Sequence, residues 1–532
     1  MSQTVSGKPS EKSSGEDYVL SIDIGTQSVR AIIFDSRGNI RGMRKLEYEA
    51  YFSTQPGWAE KDPMDYWHGM CEVIKGLREE EGGEEFWPFL RCMVVTALRD
   101  TTVCLDSEDN IVRPSILWLD QRMAAQKPSL KFPLNLAVKA IGMQEALTIL
   151  YRKAKSNWLM ENEPQNWERI ARYPQVSGFI NYFLTGNYLD SNASQIGYIP
   201  FDYKQKQWEG ESGLKYKLME IERSKLPDIV EPGNILGHVT PWASAQTGVP
   251  EGLPVVAGGS DKGCETLGVG CLDETMASIS LGTTATIQTT TRRYYEAIRF
   301  LPPYPAVIAD SYNPEIQIFR GYWLISWFKK EFSKKECIEA EHMDITPEEL
   351  LNSRVEKVPP GCEGLVLHPL WSPGILAPKA KGSVIGFGDV HTHTHVYRAI
   401  IEGIGFSLFE GLQKIEKKSK TTVKTVAISG GGSQSDVICQ ITADIFNRPV
   451  KRIHTHEASG LGAAIIGMVG SGVYSSFEEA LPQMVHYKDV FEPGPENVKI
   501  YQDLFKNVFV NIYPRLKGIY DEIQRITNYP QI

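Results

Sequence analysis

The 532-residue sequence lacks any apolar run long enough to cross a membrane. Its longest, Leu461 to Tyr474, falls short of the ~20 residues a spanning helix needs and is broken by glycines. It lacks a basic surplus: 56 Lys and Arg face 65 Asp and Glu, for a net charge of −9. That argues against a general nucleic-acid binder, which needs a cationic face to displace counterions. It also lacks cysteines at metal-ligand spacing. The 8 cysteines are scattered, the nearest pair being Cys264 and Cys271, and they read as free buried thiols. The segment Met1 to Asp17, rich in Ser, Lys and Glu, lacks the apolar core of an export signal and reads as a disordered tail. These absences together lead to the expectation of a cytoplasmic protein with no membrane or nucleic-acid partner. A homodimer stays open.

What is present is a long chain of ordinary globular composition, which predicts two large domains or three smaller ones. Tyr18 to Asp35 holds two apolar runs around a Gly25-Thr26-Gln27-Ser28 turn, the pattern of a hairpin, and a further strand is expected near Ile40 to Tyr48. Consecutive hairpins exclude a simple βαβ start, and the first turn has no G-x-G-x-x-G fingerprint. Ser278 to Gln288 repeats the arrangement around Gly282-Thr283-Thr284, about half the chain further on. So short a repeat is either chance similarity or a true duplication, and a duplication would divide the chain into halves near Asp17–Leu272 and Asp273–Pro495 with a cleft between them. Helices are predicted at Pro63–Glu80, Val396–Lys418, Ser435–Phe446 and Leu461–Val469, the last built of small residues that permit close packing.

Four places could carry chemistry. Asp23 with Gly25-Thr26 could hold a hydrated Mg²⁺ and a phosphate, although the same residues also make a plain solvated turn. Gly282-Thr283 invites the same two readings. The Gly430-Gly431-Gly432 run, between a strand and a helix, permits close approach of a ring or phosphate, or is a flexible loop capped at Ser433 or Ser435. Asp261, after a strand and Gly258-Gly259, suits a general base at a cleft mouth or a buried helix cap. The alternating His391, His393 and His395 would meet only on an extended strand, so a structural role is expected for them.

Taken in order, these residues resemble the FGGY family of carbohydrate kinases, from about Tyr18 to about Tyr501. Ser21 to Arg30 is similar to its first phosphate motif, Gly57 to Pro63 with Trp67 to its early GWxExDP…W segment, and Ile116 to Arg122 to its WxDxR block. Gly258-Gly259-Ser260-Asp261 is similar to the segment with the catalytic Asp, Ser280 to Thr284 to the second phosphate motif, and the glycine run to the adenosine motif. The resemblance implies an α/β protein of two actin-like, ribonuclease H-type lobes with ATP·Mg²⁺ and a small sugar or polyol in the interdomain cleft. The lobes would span 18–272 and 273–495, with a helical extension at 496–532. Asp261 would take the acceptor proton. Arg99, Asp100, Asp120 and Lys262 would orient acceptor hydroxyls. Gly25, Thr26, Gln27, Arg30, Gly282, Thr283, Gly430, Gly431, Gly432 and Ser435 would contact ATP, and Asp23 with Asp261 would serve Mg²⁺.

The resemblance has departures that bear on the acceptor. Glycerol kinases carry Gln after the catalytic Asp and an Arg-Glu pair, where this chain has Lys262 and Arg99-Asp100. A longer polyhydroxy compound than glycerol is expected. Lys262 would be balanced by Asp261, by an acidic substrate, or by turning outward to solvent or the other lobe. A rival reading is a nucleotide-binding regulator or ATPase on the same scaffold, which would have no use for Arg99, Asp100 and Asp261.

Overall fold

The computed structural model describes residues 17–80, 82–126, 128, 144–371, 377 and 379–529. The tail read at 1–17 lies outside the described residues except for Asp17. Among the described residues no helix is long and apolar enough to cross a membrane. All eight cysteines are unpaired, and all but Cys337 are buried.

The first lobe is built on six strands: Tyr18–Ile24 (β1), Ser28–Asp35 (β2), Ile40–Glu47 (β3), Leu90–Ala97 (β4), Ile235–His238 (β5) and Pro254–Val256 (β6). They lie in the order β5-β6-β4-β1-β2-β3. The predicted hairpin pairs β1 with β2, setting Asp23 opposite Arg30 and Ile24 opposite Val29. β1 and β6 both run parallel to β4, so their carboxyl ends share one edge. Every residue of β1 is buried, because helices cover both faces of the sheet. Pro63–Glu79 (α1) is one of them. It starts on Pro63, capped by Asp62, and buries Tyr66, Trp67, Met70, Val73 and Leu77.

The second lobe repeats the plan. Met276–Leu281 (β7), Ala285–Gln288 (β8), Glu315–Ile318 (β9), Thr425–Ser429 (β10), Val450–Ile453 (β11) and Tyr487–Phe491 (β12) lie in the order β9-β8-β7-β10-β11-β12. Again an antiparallel hairpin, β7 with β8, is followed by parallel partners, β7 with β10 and β10 with β11. The two Gly-Thr turns therefore occupy equivalent positions in two copies of one topology. The histidine tract opens a helix rather than a strand: His393 and His395 lie in its first turn, and their imidazoles go to Glu336 and Glu363.

Two helices lie between the lobes. Asp261–Gly268 (α2) follows β6, and Ala458–Gly470 (α5) follows β11 after His393–Ser419 (α3) and Asp436–Phe446 (α4). Each belongs in sequence to one half and reaches the other. From α2, Lys262 bonds Ser280 of β7 and Glu265 accepts from Ser429 of β10. α5 lies on the first sheet, its Gly460 and Gly467 facing Ile32, Val19 and Val94. The helices cross so closely that a Cβ at Gly268 would sit 2.0 Å from the Ala458 carbonyl oxygen, and one at Gly462 1.8 Å from that of Cys264. A buried cluster with Val19, Phe34, Val94, Cys264, Leu267, Ala427, Ile453 and Leu461 thus joins both sheets into one body.

The carboxyl-terminal helices 495–504 and 510–527, with the π-helical turn Phe505–Phe509 between them, pack Tyr501, Phe505, Phe509 and Ile512 into the second lobe's core. His368 is buried there under the Phe509 ring, 4.9 Å away. Burial pushes its pKa down to about 4, with only Glu410 opposing. Unfolded, the imidazole returns to about 6.5. Between those values the unfolded chain binds more protons, so the stability held at neutral pH is lost as pH falls through that window. The melting temperature should drop between pH 7 and pH 5, and His368→Asn should flatten the slope. Identical slopes in the two proteins would remove His368 from the acid response.

Candidate active site

The carboxyl ends of β1, β4 and β6 meet those of β7 and β10 at the start of α2, where ligands of open α/β sheets are bound. Ser260 caps α2 by accepting from the Gly263 N–H at 3.2 Å, which leaves Asp261 as its first residue. The Asp261 carboxylate is 30% exposed, and its Oδ1 accepts from the Lys262 N–H at 2.8 Å. A carboxylate fixed by its own helix but open to the cleft can receive a proton from a ligand. Arg99, two residues beyond β4, places Nε 3.8 Å from Asp261 Oδ1. Its Nη1 and Nη2 donate to Glu315 at 3.1 and 3.2 Å, and the Tyr304 ring lies 5.3 Å away. Burial would lower the Arg99 pKa, but Glu315 and Asp261 outweigh it and hold the guanidinium charged.

Lys262 turns inward. Its Nζ donates to Glu265 Oε2 at 2.6 Å and to Ser280 Oγ at 2.7 Å. Burial opposes the ammonium, but Glu265 and Asp261 raise the pKa on balance. Burial likewise opposes the Glu265 carboxylate, which Lys262 nevertheless holds below its ordinary range. Glu265 therefore balances Lys262. Lys262 thus reaches the other lobe through Ser280 rather than turning to solvent, and its charge is met by Glu265, a partner the sequence reading did not name. The physical cause is the i,i+3 spacing on one helix face.

Asp23 sits deeper. Burial raises its pKa to about 7; Arg30 opposes, and Glu457, Asp261 and Glu265 add to the rise. Arg30 lies between Asp23, at 3.3 Å, and Glu457, at 3.2 Å. Its guanidinium is thus engaged below the turn rather than standing free for a phosphate. Above it, Gly25 N–H closes the turn onto Ser28 O, Thr26 Oγ1 accepts from the Trp118 indole at 3.0 Å, and Gln27 is exposed. In the second hairpin Thr283 is exposed, and the Gly282 and Thr283 carbonyls accept from Tyr322 and Trp323.

The glycine run adjoins this second turn, since β7 and β10 are register partners at Ser280 and Ser429. Gly430 has φ +82, and a Cβ there would lie 2.9 Å from the Leu281 carbonyl carbon. Gly431 faces open space, and a Cβ on Gly432 would meet the Tyr322 ring at 2.5 Å. The loop is a shelf pressed against the hairpin with one open face. Ser435 stands at the start of α4 without a side-chain capping bond.

Two expected acceptor contacts are placed elsewhere. The Asp120 side chain is buried, and its carboxylate accepts from Ala59 N at 2.6 Å and from Arg122 N, Nε and Nη2 at 2.8–2.9 Å. With four donors on its two oxygens and Arg122 stacked on Trp58 at 3.8 Å, its carboxylate is engaged within the lobe and braces it. Asp100, at φ +52, is tied to Lys155 Nζ at 2.7 Å and Tyr198 N at 3.1 Å. It shapes the loop that carries Arg99.

Residues 18–268 match the amino-terminal domain, and residues 277–471 the carboxyl-terminal domain, of the FGGY family of carbohydrate kinases. The chain belongs to this family. The kinase is 31% identical to the xylulose kinase of Lactococcus lactis subsp. lactis (strain IL1403), over 93% of this chain and 97% of that one. It is 29% identical to the uncharacterized sugar kinase YgcE of Escherichia coli (strain K12), over 93% of each. Its fold superposes on the gluconate kinase of Lactobacillus acidophilus with a TM-score of 0.80 at 21% identity, covering 96% of this chain and 100% of that one. The two-lobed α/β architecture is thus that of its family, and the protein is an ATP-dependent carbohydrate kinase. The regulator reading is set aside.

Several residues of the kinase's cleft escaped the sequence reading. Glu265 could have been found from the Lys262-x-x-Glu265 spacing, had the helix that Asp261 would cap been read forward to it. Glu315 and Tyr304 carry no motif: Glu315 begins an ordinary alternating strand and Tyr304 lies in the segment between β8 and β9. Only tertiary structure brings them to Arg99.

Proposed function

We propose that this kinase transfers the γ-phosphoryl group of ATP·Mg²⁺ to a hydroxyl of a neutral ketose or polyol longer than glycerol. The observation that carries the neutral acceptor is that both cations beside Asp261 are already paired within the protein, Arg99 with Glu315 and Lys262 with Glu265. A sugar carboxylate would have to displace one of those buried partners. Asp261 accepts the proton of the acceptor hydroxyl as its oxygen bonds to the γ-phosphorus. The bond from that phosphorus to the bridging oxygen breaks, and ADP leaves with the electron pair. Thr26, Gln27, Gly282 and Thr283 serve the phosphates, and Gly430, Gly431 and Gly432 the adenosine. Positioning and charge stabilisation are most of what such a transfer requires.

The donor set fits Mg²⁺. Asp23, whose pKa burial raises against the opposing Arg30, has the Glu457, Asp261 and Glu265 carboxylates around it, an acidic surrounding that a cation would relieve. No group of three or more acidic, His or Cys side chains among the described residues could hold a metal. The cation would therefore rest on phosphate oxygens and water, with Asp23 and Asp261 as its carboxylates, the usual mode for Mg²⁺. It would neutralise charge on the transferring group. The unpaired thiols support a reducing, cytoplasmic location.

A coupled ADP-release screen against glycerol, pentitols, hexitols, ketoses and aldonates tests the acceptor. A five- or six-carbon neutral compound should give the highest kcat/KM, and EDTA should abolish turnover. A preference for glycerol or for an aldonate overturns the reading.

A further inference from the structure

Glu315 is held by the second lobe but bonded to the first. Its side chain is 3% exposed at the start of β9, and its carboxylate oxygens accept from the two terminal nitrogens of Arg99. Tyr304, from the same lobe, lies against the same guanidinium. Gripped on those sides, Arg99 presents Nε to Asp261, and its charge is cancelled from behind. A planar, bidentate pair of this kind fixes orientation as well as charge. We propose that Glu315 is a specificity-determining positioning residue. By pairing with Arg99 across the cleft, it makes the acceptor seat read hydroxyl groups and reject carboxylates.

This rests on the reading of Asp261 as the acceptor site, and two physical consequences follow. With Glu315 uncharged, Arg99 keeps only Asp261, 3.8 Å from its Nε, and its two buried terminal nitrogens lose their anionic partner, which an anionic acceptor then replaces. With Arg99 uncharged, Glu315 becomes a buried unpaired anion and repels the same acceptor. The two substitutions must therefore move acid-versus-neutral preference in opposite directions. A purely structural contact would weaken all acceptors alike.

The test uses matched pairs that differ only in the terminal group, glucitol with gluconate and xylitol with xylonate. Turnover is measured by ADP release, and binding by calorimetry with a non-hydrolysable ATP analogue. Glu315→Gln should raise the aldonate-to-alditol ratio of kcat/KM and of affinity by about tenfold or more, the size of a charge-assisted bond gained. The change should lie in the KM of the aldonate, with the KM for ATP unmoved. Glu315→Asp, which keeps the charge, should retain the wild-type ratio, and Arg99→Gln should lower it. An unchanged ratio in folded Glu315→Gln overturns the proposal. Should that variant not fold, an unchanged or raised ratio in Arg99→Gln overturns it instead. If the wild type turns over no acceptor of the broader panel, the reading of the Asp261 site fails, while calorimetry on the variants still decides Glu315.

Discussion

Asp261→Asn should lower kcat by about 10²–10⁴-fold, the usual range for loss of a general base. The amide keeps the shape of the carboxylate and can still accept from the Lys262 N–H at 2.8 Å, so the α2 start should stay folded. It cannot take the acceptor proton. Nucleotide affinity should stay within about twofold of wild type, because the Gly25 and Gly282 turns and the glycine shelf are on other elements. The melting temperature should hardly change, since the side chain is 30% exposed. Stopped-flow ADP release and calorimetric ATP titration on the same preparation check this. Turnover near the wild-type rate with a natural acceptor would eliminate Asp261 as the base.

Gly462→Ala should destabilise the protein by about 3 kcal/mol or more, beyond the ordinary overpacking range. The added Cβ would stand 1.8 Å from the Cys264 carbonyl oxygen, a backbone atom that no rotamer change can move. Relief requires α5 to shift away from α2, which separates the helices that join the lobes. Lys262–Ser280 and Glu265–Ser429 sit on that joint, so acceptor turnover should fall together with stability. Gly431→Ala is the contrasting case. Its Cβ meets nothing within 4 Å, so stability should be kept while ATP binding weakens. Urea denaturation separates the two. A Gly462→Ala protein within 1 kcal/mol of wild type, as order of magnitude, would show that the crossing tolerates a methyl group.

Local pattern determined much of this protein. The hairpins around Gly25 and Gly282, the helix starting at Pro63, the small-residue helix and the position of Asp261 after a strand all follow from short-range periodicity and turn chemistry. These features need only neighbours in the chain, so neighbours suffice to read them. The ordered motifs carried the family and the two lobes for the same reason.

Which charges meet was decided only by tertiary structure. Asp120 sits in a motif yet is consumed by Ala59 and Arg122, because packing turns it into the lobe. Lys262 looked like a cation in need of a ligand until the helix set Glu265 one turn on. Glu315 lies 216 residues from Arg99 and belongs to no pattern, yet it sets the charge beside Asp261. Types and spacings along the chain determined the chemistry available here. Folding decided which of those groups remain unpaired, because a buried charge takes the nearest opposite charge in space, wherever that partner lies in sequence.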